Sequence, residues 1–135
     1  MNHIKYIMYP GRFQSPHVGH MHIFNESLKK GKYICIAVRD IEPDENNPFS
    51  AMEIKEMWEE IYAENDFVKV IIIPDIEAIN YGRGVGFSIN EIKVPEQIAN
   101  ISATEIRNQI KDGNVEWKKF VSWRIWKYIE EKLKK

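Results

Sequence analysis

Residues Gly11–His20 read Gly-Arg-Phe-Gln-Ser-Pro-His-Val-Gly-His, and this stretch sets the expected architecture of the chain. It follows an apolar run, Ile4–Tyr9, and leads into residues with helical spacing, Gly19–Lys30. A glycine-bearing turn between a strand and a helix leaves backbone N–H groups unpaired at the positive end of the helix dipole. The stretch therefore predicts a strand–turn–helix unit whose turn binds an anion such as a phosphate.

Two histidines lie where this helix is expected to begin. His17 and His20 are three residues apart, so on the first helical turn both imidazoles face one side and reach the same bound anion. Each ring offers N–H donors. Gly19 leaves no Cβ between the backbone and a phosphate, and Arg12 adds a planar fork of donors. Such donors suit phosphoryl or nucleotidyl transfer, which needs alignment and charge stabilisation more than covalent chemistry.

The rest of the first half repeats the alternation of apolar runs with helical spacing. Further strands are predicted at Tyr33–Val38 and Val68–Ile73, with a second helix at Ala51–Glu64. Continuous apolar runs are typical of strands buried on both faces, and strands joined through helices favour parallel pairing. We therefore expect a Rossmann-like α/β fold, a doubly wound parallel sheet with its ligand beyond the carboxyl ends of the strands.

The second half of the chain is expected to be mainly helical. Residues Phe87–Ile92 are compatible with a short strand after a glycine-rich loop at 82–86. Helices are predicted at Ser102–Lys111 and at Val121–Leu133, where apolar residues recur every four positions. The four tryptophans fall at helical spacings and are interpreted mainly as core or helix-packing residues.

Length and composition indicate one ordinary globular domain over residues 1–135. With 44% hydrophobic and 29% charged residues and a net charge of −1, we expect no general attraction to nucleic acid or membranes, and we leave a homo-oligomer open. No apolar stretch approaches the ~20 residues of a membrane span and no signal-peptide core is seen, so a cytoplasmic location is expected. Cys35 is interpreted as a small core residue. A zinc site at the histidines is disfavoured, because neither cysteine partners nor an HExxH pattern accompany them.

A second candidate anion site lies near the C-terminus, at Ser102–Arg107. Ser102 and Glu105 have the spacing of a capping box ahead of an apolar-periodic helix, which predicts another helix N-terminus. Ser102 and Thr104 add hydroxyl donors, and Arg107 lies one turn into the helix, within reach of a β- or γ-phosphate. The simpler alternative is a well-capped helix with a surface arginine.

These two motifs resemble those of a known superfamily. The Gly11–His20 run resembles the HxGH signature of the nucleotidyltransferases that include cytidylyltransferases, phosphopantetheine adenylyltransferase and nicotinamide mononucleotide adenylyltransferase. Residues Ile101–Arg107 resemble the ISSTxxR motif of the same superfamily, with Ala103 replacing the second Ser. The opening Gly-Arg-Phe-Gln is most similar to the archaeal nicotinamide mononucleotide branch, although Ser15 stands where that family usually has Pro.

Two shorter segments extend the resemblance toward the acceptor substrate. Residues Asn47–Glu53 are similar to the NPFTxxER stretch of nicotinamide mononucleotide adenylyltransferases, and Pro74–Ile76 to a PDI element of the archaeal branch. The simpler interpretation of the first segment is a turn followed by a Ser50–Glu53 capping box, and that of Tyr81 is a loop aromatic. The candidate acceptor-binding residues are Arg39, Asn47, Tyr81 and Arg83.

The resemblance implies that the chain joins a nucleoside triphosphate to a phosphate-bearing small molecule and releases pyrophosphate. It implies that His17 and His20 stabilise charge on the transferring phosphorus, that Arg12 orients the reacting groups, and that Mg²⁺ bridges the phosphates. The expected nucleotide-binding residues are Gly11, Phe13, Gly19, Ser102, Thr104 and Arg107.

The choice of triphosphate rests on the same resemblance. ATP is favoured over CTP, because the Gly-Arg-Phe-Gln and Asn-Pro-Phe-Ser runs look adenylyltransferase-like and the RYVDxVI segment of several cytidylyltransferases is missing. Two alternatives stay open. One is a cytidylyltransferase that uses CTP and a phosphorylated alcohol or sugar, and the other is a nucleotide-sensing module that has lost turnover.

Overall fold

The computed structural model of the 135-residue chain describes residues 3–92, residue 96 and residues 102–133. Three parallel strands form one sheet in the order β1-β2-β3, with bounds Tyr6–Gly11, Tyr33–Asp40 and Val68–Pro74. Helix α1, Val18–Lys29, connects β1 to β2, and helix α2, Ala51–Ile61, connects β2 to β3. The predicted single-domain, Rossmann-like α/β architecture is confirmed.

Both connecting helices pack on the same face of the sheet. Ile34, Ile36 and Val38 alternate along β2 and are fully buried in the core cluster. That cluster includes Phe24 of α1 and Trp58 of α2, whose ring centroids are 5.1 Å apart. Two crossovers that move the same way across a sheet place their helices on one face when both have the usual right hand. The helix starts therefore lie together at the carboxyl end of the strands.

Burial on both faces is confirmed for β2 and is wrong for β1 and β3, since no residue of β3 is buried. Residues Ile34–Val38 of β2 are buried without interruption, whereas Tyr6 and Met8 of β1 are 41% and 52% exposed. Among the described residues β1 pairs only with β2, so it forms an edge of the sheet. The strand also begins and ends two residues later than the predicted Ile4–Tyr9, because its pairing with β2 extends to Gly11.

The C-terminal part is helical, but its last helix is interrupted. Helix α3 spans Ala103–Lys111, close to the prediction. The single helix predicted over Val121–Leu133 is wrong. Ser122 caps a short 3₁₀ helix, Trp123–Ile125, and helix α4 then spans Trp126–Leu133. The interruption has a local cause, since the Ser122 side chain accepts from the backbone of Arg124 and starts a new turn.

Further expectations for this part of the chain had mixed outcomes. Residues Phe87–Ile92 form no strand, which corrects that prediction. Another 3₁₀ helix, Glu116–Phe120, precedes the interrupted region and buries Trp117. Trp123 is 67% exposed, unlike a core residue. Residues 93–95 and 97–101, including the first residue of the second motif, lie outside the described part.

The remaining whole-chain expectations concern cysteine and membranes. Cys35 is 5% exposed on β2, so its interpretation as a small core residue is confirmed, and burial raises the pKa of its thiol. None of the helices in the described part of the chain is long and apolar enough to cross a bilayer.

Candidate active site

Helix α1 begins with a capping box made of two imidazoles. His17 is the N-cap residue with extended backbone, and its Nδ1 accepts the backbone N–H of Gly19 at 3.0 Å. In return, Nδ1 of His20 accepts the backbone N–H of His17 at 3.1 Å. The two rings are stacked, with centroids 3.8 Å apart and planes inclined by 22°. Two otherwise unpaired N–H groups of the helix start are thereby satisfied.

This box fixes the tautomer of both rings, and their burial keeps them uncharged. Because each Nδ1 accepts a backbone N–H, the proton of the neutral ring lies on Nε2. Burial lowers the pKa of His17 to about 4. Burial, and then the charge of His17, lower the pKa of His20 to about 3. Near neutral pH, each ring therefore presents one Nε2–H donor and no positive charge.

Aromatic side chains of the core pack against the imidazoles. The ring of Phe13 makes edge contacts with His20 and Trp58, at centroid distances of 5.0 and 5.5 Å. Phe13 is buried and has a positive φ of 52°. A Cβ on Gly11 would lie 2.7 Å from Cζ of Phe13, so Gly11 gives this ring its space. The Phe13 ring therefore belongs to the core cluster, and its expected contact with a nucleotide stays a prediction.

Gly19 is buried in the first turn of α1. As expected of a glycine, it presents no Cβ there. Its backbone N–H donates to His17, however, so this N–H is not free to bind a phosphate. The imidazole Nε2–H groups are donors of this turn that remain available to a ligand.

Gln14 joins the turn between β1 and α1, residues 12–17, to two distant parts of the chain. Its side-chain Nε2 donates to the carbonyl of Phe49 at 2.9 Å, and its Oε1 accepts the N–H of Phe49 at 2.9 Å. Its backbone carbonyl accepts from Nη1 of Arg107. The early motif and the late motif, far apart in sequence, therefore meet at one residue.

Arg107 is 7% exposed, and its guanidinium uses only some of its N–H donors. Nη1 donates to Gln14 and Nη2 donates to Oγ1 of Thr104 at 3.2 Å. A guanidinium carries five N–H donors, so three have no partner among the described residues. Burial lowers the pKa of Arg107, and the nearby charge of Asp44 opposes this effect. Ser102 caps α3, since its Oγ accepts the N–H of Glu105 at 3.2 Å.

Arg12 and the segment before α2 complete the surroundings of the turn. Arg12 is exposed, and its charge helps to lower the pKa of Asp44, after the larger effect of hydrogen bonds from Asn47. Asp44 thus lies within electrostatic range of both Arg12 and Arg107. Asn47 donates through its backbone to Asp44 at 2.7 Å and through its side chain at 3.2 Å, which shapes this loop.

The other candidate acceptor residues are not brought to the imidazoles by any contact in the described part of the chain. Arg39, at the end of β2, donates through Nε to Asp75 at 2.8 Å and through Nη2 to the carbonyl of Ile76 at 2.9 Å. This links the carboxyl ends of β2 and β3. Tyr81 is 62% exposed and contacts Phe87, with ring centroids 6.4 Å apart. Arg83 lies in the same exposed loop.

The chemistry of the donors favours an anion over a metal at the imidazoles. Each Nδ1 is occupied by a backbone N–H, and each Nε2 carries a proton, so no ring nitrogen is free to act as a ligand. Within residues 3–92, 96 and 102–133, no group of three or more His, Cys, Asp or Glu is arranged to hold a metal ion.

Sequence reasoning did not find the contacts of Gln14. Its partners Phe49 and Arg107 are 35 and 93 residues away, so the periodic pattern of nearby residues does not predict these hydrogen bonds. The available signal was indirect. The Gly-Arg-Phe-Gln run and the Asn-Pro-Phe run each resemble a motif of the same family, but nothing in the sequence pairs one with the other.

The fold and this turn define the class of protein, an α/β domain with an HxGH motif after its first strand. The sequence profile of the family described as cytidylyltransferase-like matches residues 8–79, more than half of the chain. The chain belongs to this family. The match covers His17 and His20 and ends before α3. No curated protein matches the chain. Membership supports nucleotidyltransferase activity in general and implies binding of a nucleoside triphosphate.

Proposed function

We propose that the chain transfers a nucleoside monophosphate from a triphosphate, with ATP favoured, to the phosphate of a small acceptor and releases pyrophosphate. One observation carries this proposal: the two stacked imidazoles are held by their Nδ1 atoms, so that both neutral rings direct Nε2–H donors away from the helix backbone. Donors held in place before the reaction are what a phosphorus centre with growing negative charge requires.

The reaction follows from this arrangement without a protein nucleophile. An oxygen of the acceptor phosphate attacks the α-phosphorus, and the new P–O bond forms as the bond between the α-phosphorus and the bridging oxygen breaks. The electron pair of the broken bond leaves with pyrophosphate. His17 and His20 donate to the oxygens of the α-phosphate as charge accumulates. No general base is needed, because a phosphate monoester is already ionised near neutral pH.

The leaving pyrophosphate is assigned to the start of α3. Arg107 holds the β- and γ-phosphates through the three N–H donors that remain, and its bond to Gln14 places it beside the turn that carries the imidazoles. Ser102 and Thr104 contribute hydroxyl groups, and Arg12 approaches from the exposed side. The guanidinium of Arg107 thus has both a structural and a ligand-binding role in this proposal.

Mg²⁺ accompanies the triphosphate in this proposal. When bound, it would neutralise phosphate charge, and phosphate oxygens are the hard ligands that this ion prefers. The residues around the turn fit an ion that arrives with its phosphates, because they supply mainly N–H donors. Asp44 is the carboxylate within electrostatic range of Arg12 and Arg107.

The choice of ATP, with nicotinamide mononucleotide as acceptor, rests on the resemblance of residues 11–14 and 47–50 to adenylyltransferases of that branch. Arg39, Asn47, Tyr81 and Arg83 are the proposed acceptor-side residues. The family match favours a second candidate, a cytidylyltransferase that acts on a phosphorylated alcohol or sugar.

A pyrophosphate-release assay separates these candidates. The purified chain is incubated with Mg²⁺ and either ATP or CTP, each with nicotinamide mononucleotide, phosphopantetheine or glycerol 3-phosphate, and the product is identified by mass. We expect release with ATP and formation of a dinucleotide-type product. Release with CTP alone would overturn the adenylyl assignment. Tight nucleotide binding without release from any pair would overturn the transferase proposal in favour of a sensor.

A further inference from the structure

The Gln14 side chain forms two hydrogen bonds with the backbone of a single residue, as a neighbouring β-strand would. Gln14 is 6% exposed, and its amide group uses one donor and one acceptor on the N–H and carbonyl of the same residue, Phe49. Phe49 is fully buried and directly precedes Ser50, the N-cap of α2. Without Gln14, both backbone groups of Phe49 would lose these partners in a buried place, which is costly.

The same residue also holds the start of α3. The Gln14 carbonyl accepts from the buried guanidinium of Arg107, whose other end donates to Thr104. Three residues further along the chain, His17 begins the imidazole box. Gln14 is therefore bonded to the segment before α2 and to α3, and is covalently continuous with the start of α1.

We propose that Gln14 is a positioning residue that sets the imidazoles, the lead segment of α2 (residues 44–50) and the guanidinium of Arg107 in one fixed arrangement. This inference rests on the proposed function, because it assigns the arrangement to the transfer step. Gln14 need not touch the substrate. It acts through the backbone of the β1–α1 turn and through the two elements it binds.

The chemistry of the side chain explains why this position requires glutamine. A primary amide offers a donor and an acceptor in one plane, which matches the N–H and carbonyl of a single residue. A carboxylate of the same length keeps the acceptor but turns an oxygen toward the Phe49 carbonyl. A methionine of similar length satisfies neither group. The three side chains thus give a graded series of two, one and no hydrogen bonds to Phe49.

The test compares Gln14→Met and Gln14→Glu with a matched control, Gln109→Met. Gln109 lies on α3, and its buried Oε1 has no hydrogen-bond partner among the described residues, so its replacement removes an amide without breaking a hydrogen bond of that oxygen. Three quantities are measured for each protein: kcat and KM for the triphosphate, the melting temperature, and the NMR titration midpoints of the His17 and His20 rings. The last measurement reports directly on the burial of the imidazoles and does not depend on turnover.

We expect Gln14→Met to lower kcat at least tenfold, to raise KM, and to move the imidazole midpoints upward by about one pH unit as the rings become hydrated. Gln14→Glu should fall between Gln14→Met and the unaltered protein, and it serves as the test protein if Gln14→Met fails to fold. The Gln109→Met control should leave kcat, KM and both midpoints unchanged.

The possible results separate this inference from the proposed function. A lower melting temperature with unchanged kcat, KM and imidazole midpoints would overturn it, because Gln14 would then be merely structural. Midpoints that move in a protein without transferase activity would support the positioning role while the proposed function fails. A control that shifts the midpoints as much as Gln14→Met would also contradict it, since the effect would not be specific to this residue.

Discussion

Helices α1 and α2 begin with the same hydrogen-bonding device built from different residues. At α2, Oγ of Ser50 accepts the N–H of Glu53 at 3.1 Å, and Oε1 of Glu53 accepts the N–H of Ser50 at 2.9 Å. At α1, two ring nitrogens replace these oxygens, with bonds of 3.0 and 3.1 Å. Both helix starts are therefore satisfied by reciprocal bonds across one turn.

The difference lies in what each side chain keeps free. A glutamate carboxylate that caps a helix only accepts hydrogen bonds, and a capping serine keeps one O–H donor whose direction is free to rotate. An imidazole accepts through one nitrogen and, in its neutral form, must donate through the other. The box at α1 thus anchors two outward N–H donors by the bonds that cap the helix. This comparison explains how a purely local capping motif also provides an anion site.

The largest expected effect on turnover comes from replacing the capping box of two histidines at α1 by a box of oxygen acceptors like that of Ser50 and Glu53 at α2. In the double variant His17→Ser/His20→Gln, a hydroxyl and an amide oxygen can still cap the helix, but both imidazole donors are lost. We expect turnover to fall about a thousandfold, because removing one preorganised donor commonly costs 10²–10³. The fall is measured as kcat for pyrophosphate release, with nucleotide binding measured in parallel.

Ser50→Ala is the matched control for that variant. It removes a cap at α2 and should cost about 1 kcal/mol in the free energy of unfolding, with a fall in kcat far smaller than that of the double variant. If the double variant keeps more than one tenth of the original turnover, the functional distinction between the two boxes is contradicted. A comparable loss of turnover in Ser50→Ala would also contradict this distinction, because the box at α2 would then matter for the reaction as much as the box at α1.

The second effect concerns pH and stability. In the folded protein the pKa values of His17 and His20 are lowered to about 4 and about 3, whereas an exposed imidazole titrates near 6.5. Between these values the unfolded chain binds more protons, so the free energy of unfolding decreases as the pH falls from about 6.5 to about 4. The slope is at most about 1.4 kcal/mol per pH unit for each ring. Urea unfolding at several pH values measures it.

The double variant again supplies the contrast. His17→Ser/His20→Gln retains every carboxylate of the protein but lacks both buried rings, so the difference between its slope and the original slope isolates the imidazoles. We expect the variant to lose most of the dependence between pH 6.5 and 4. Identical slopes in the two proteins would show that the rings are not held neutral by the fold.

The fold could be predicted from sequence wherever one pattern dominated. The order strand–helix–strand–helix–strand is confirmed, and the Ser50–Glu53 box at α2 was visible as a spacing of three. One of the two failures has a local cause, and the other depends on how the strands assemble. Ser122 caps a new helical turn within the predicted C-terminal helix and so interrupts it. The exposure of β1 depends on its place at the edge of the sheet, and a run of apolar residues does not predict that place.

The candidate site could be predicted as a set of residues but not as a connected structure. His17 and His20 were expected on one face and are stacked, and Arg107 was expected near the first motif and bonds to Gln14. The burial of the Phe13 ring could not be derived from spacing, since it requires the positions of α1 and α2 over the sheet. The roles of these residues in transfer stay predictions.

The third prediction concerns the support that the α1 box receives from the core. Gly11→Ala would place a Cβ 2.7 Å from Cζ of Phe13, and that ring contacts His20. Displacing a buried aromatic ring should cost about 1–3 kcal/mol in the free energy of unfolding. We expect kcat to fall with it, because His20 loses a neighbour. Gly82→Ala is the control, since no atom of the residues that the structure describes lies within 4 Å of its added Cβ.

The two glycine variants are compared by urea unfolding and by kcat. If Gly11→Ala and Gly82→Ala have equal free energies of unfolding, the Phe13 ring can move without cost. The α1 box would then not depend on the packing of that ring. A large loss confined to Gly11→Ala would instead sharpen the comparison. It would show that the α1 box depends on core packing as well as on its own two bonds.

The smallest effect is expected at the α2 box, where Lys132 lies 3.3 Å from Oε1 of Glu53. The lysine side chain is 42% exposed, so water and salt screen the pair, and Lys132→Met should change the free energy of unfolding by less than about 0.5 kcal/mol. Glu53 keeps its bond from Ser50 in this variant, so the helix start is intact and kcat should not change. Unfolding at low and high salt measures the contribution of the pair. A change in kcat would mean that the α2 box, like the α1 box, acts in the reaction, and the contrast between the two helix starts would then lose its functional meaning.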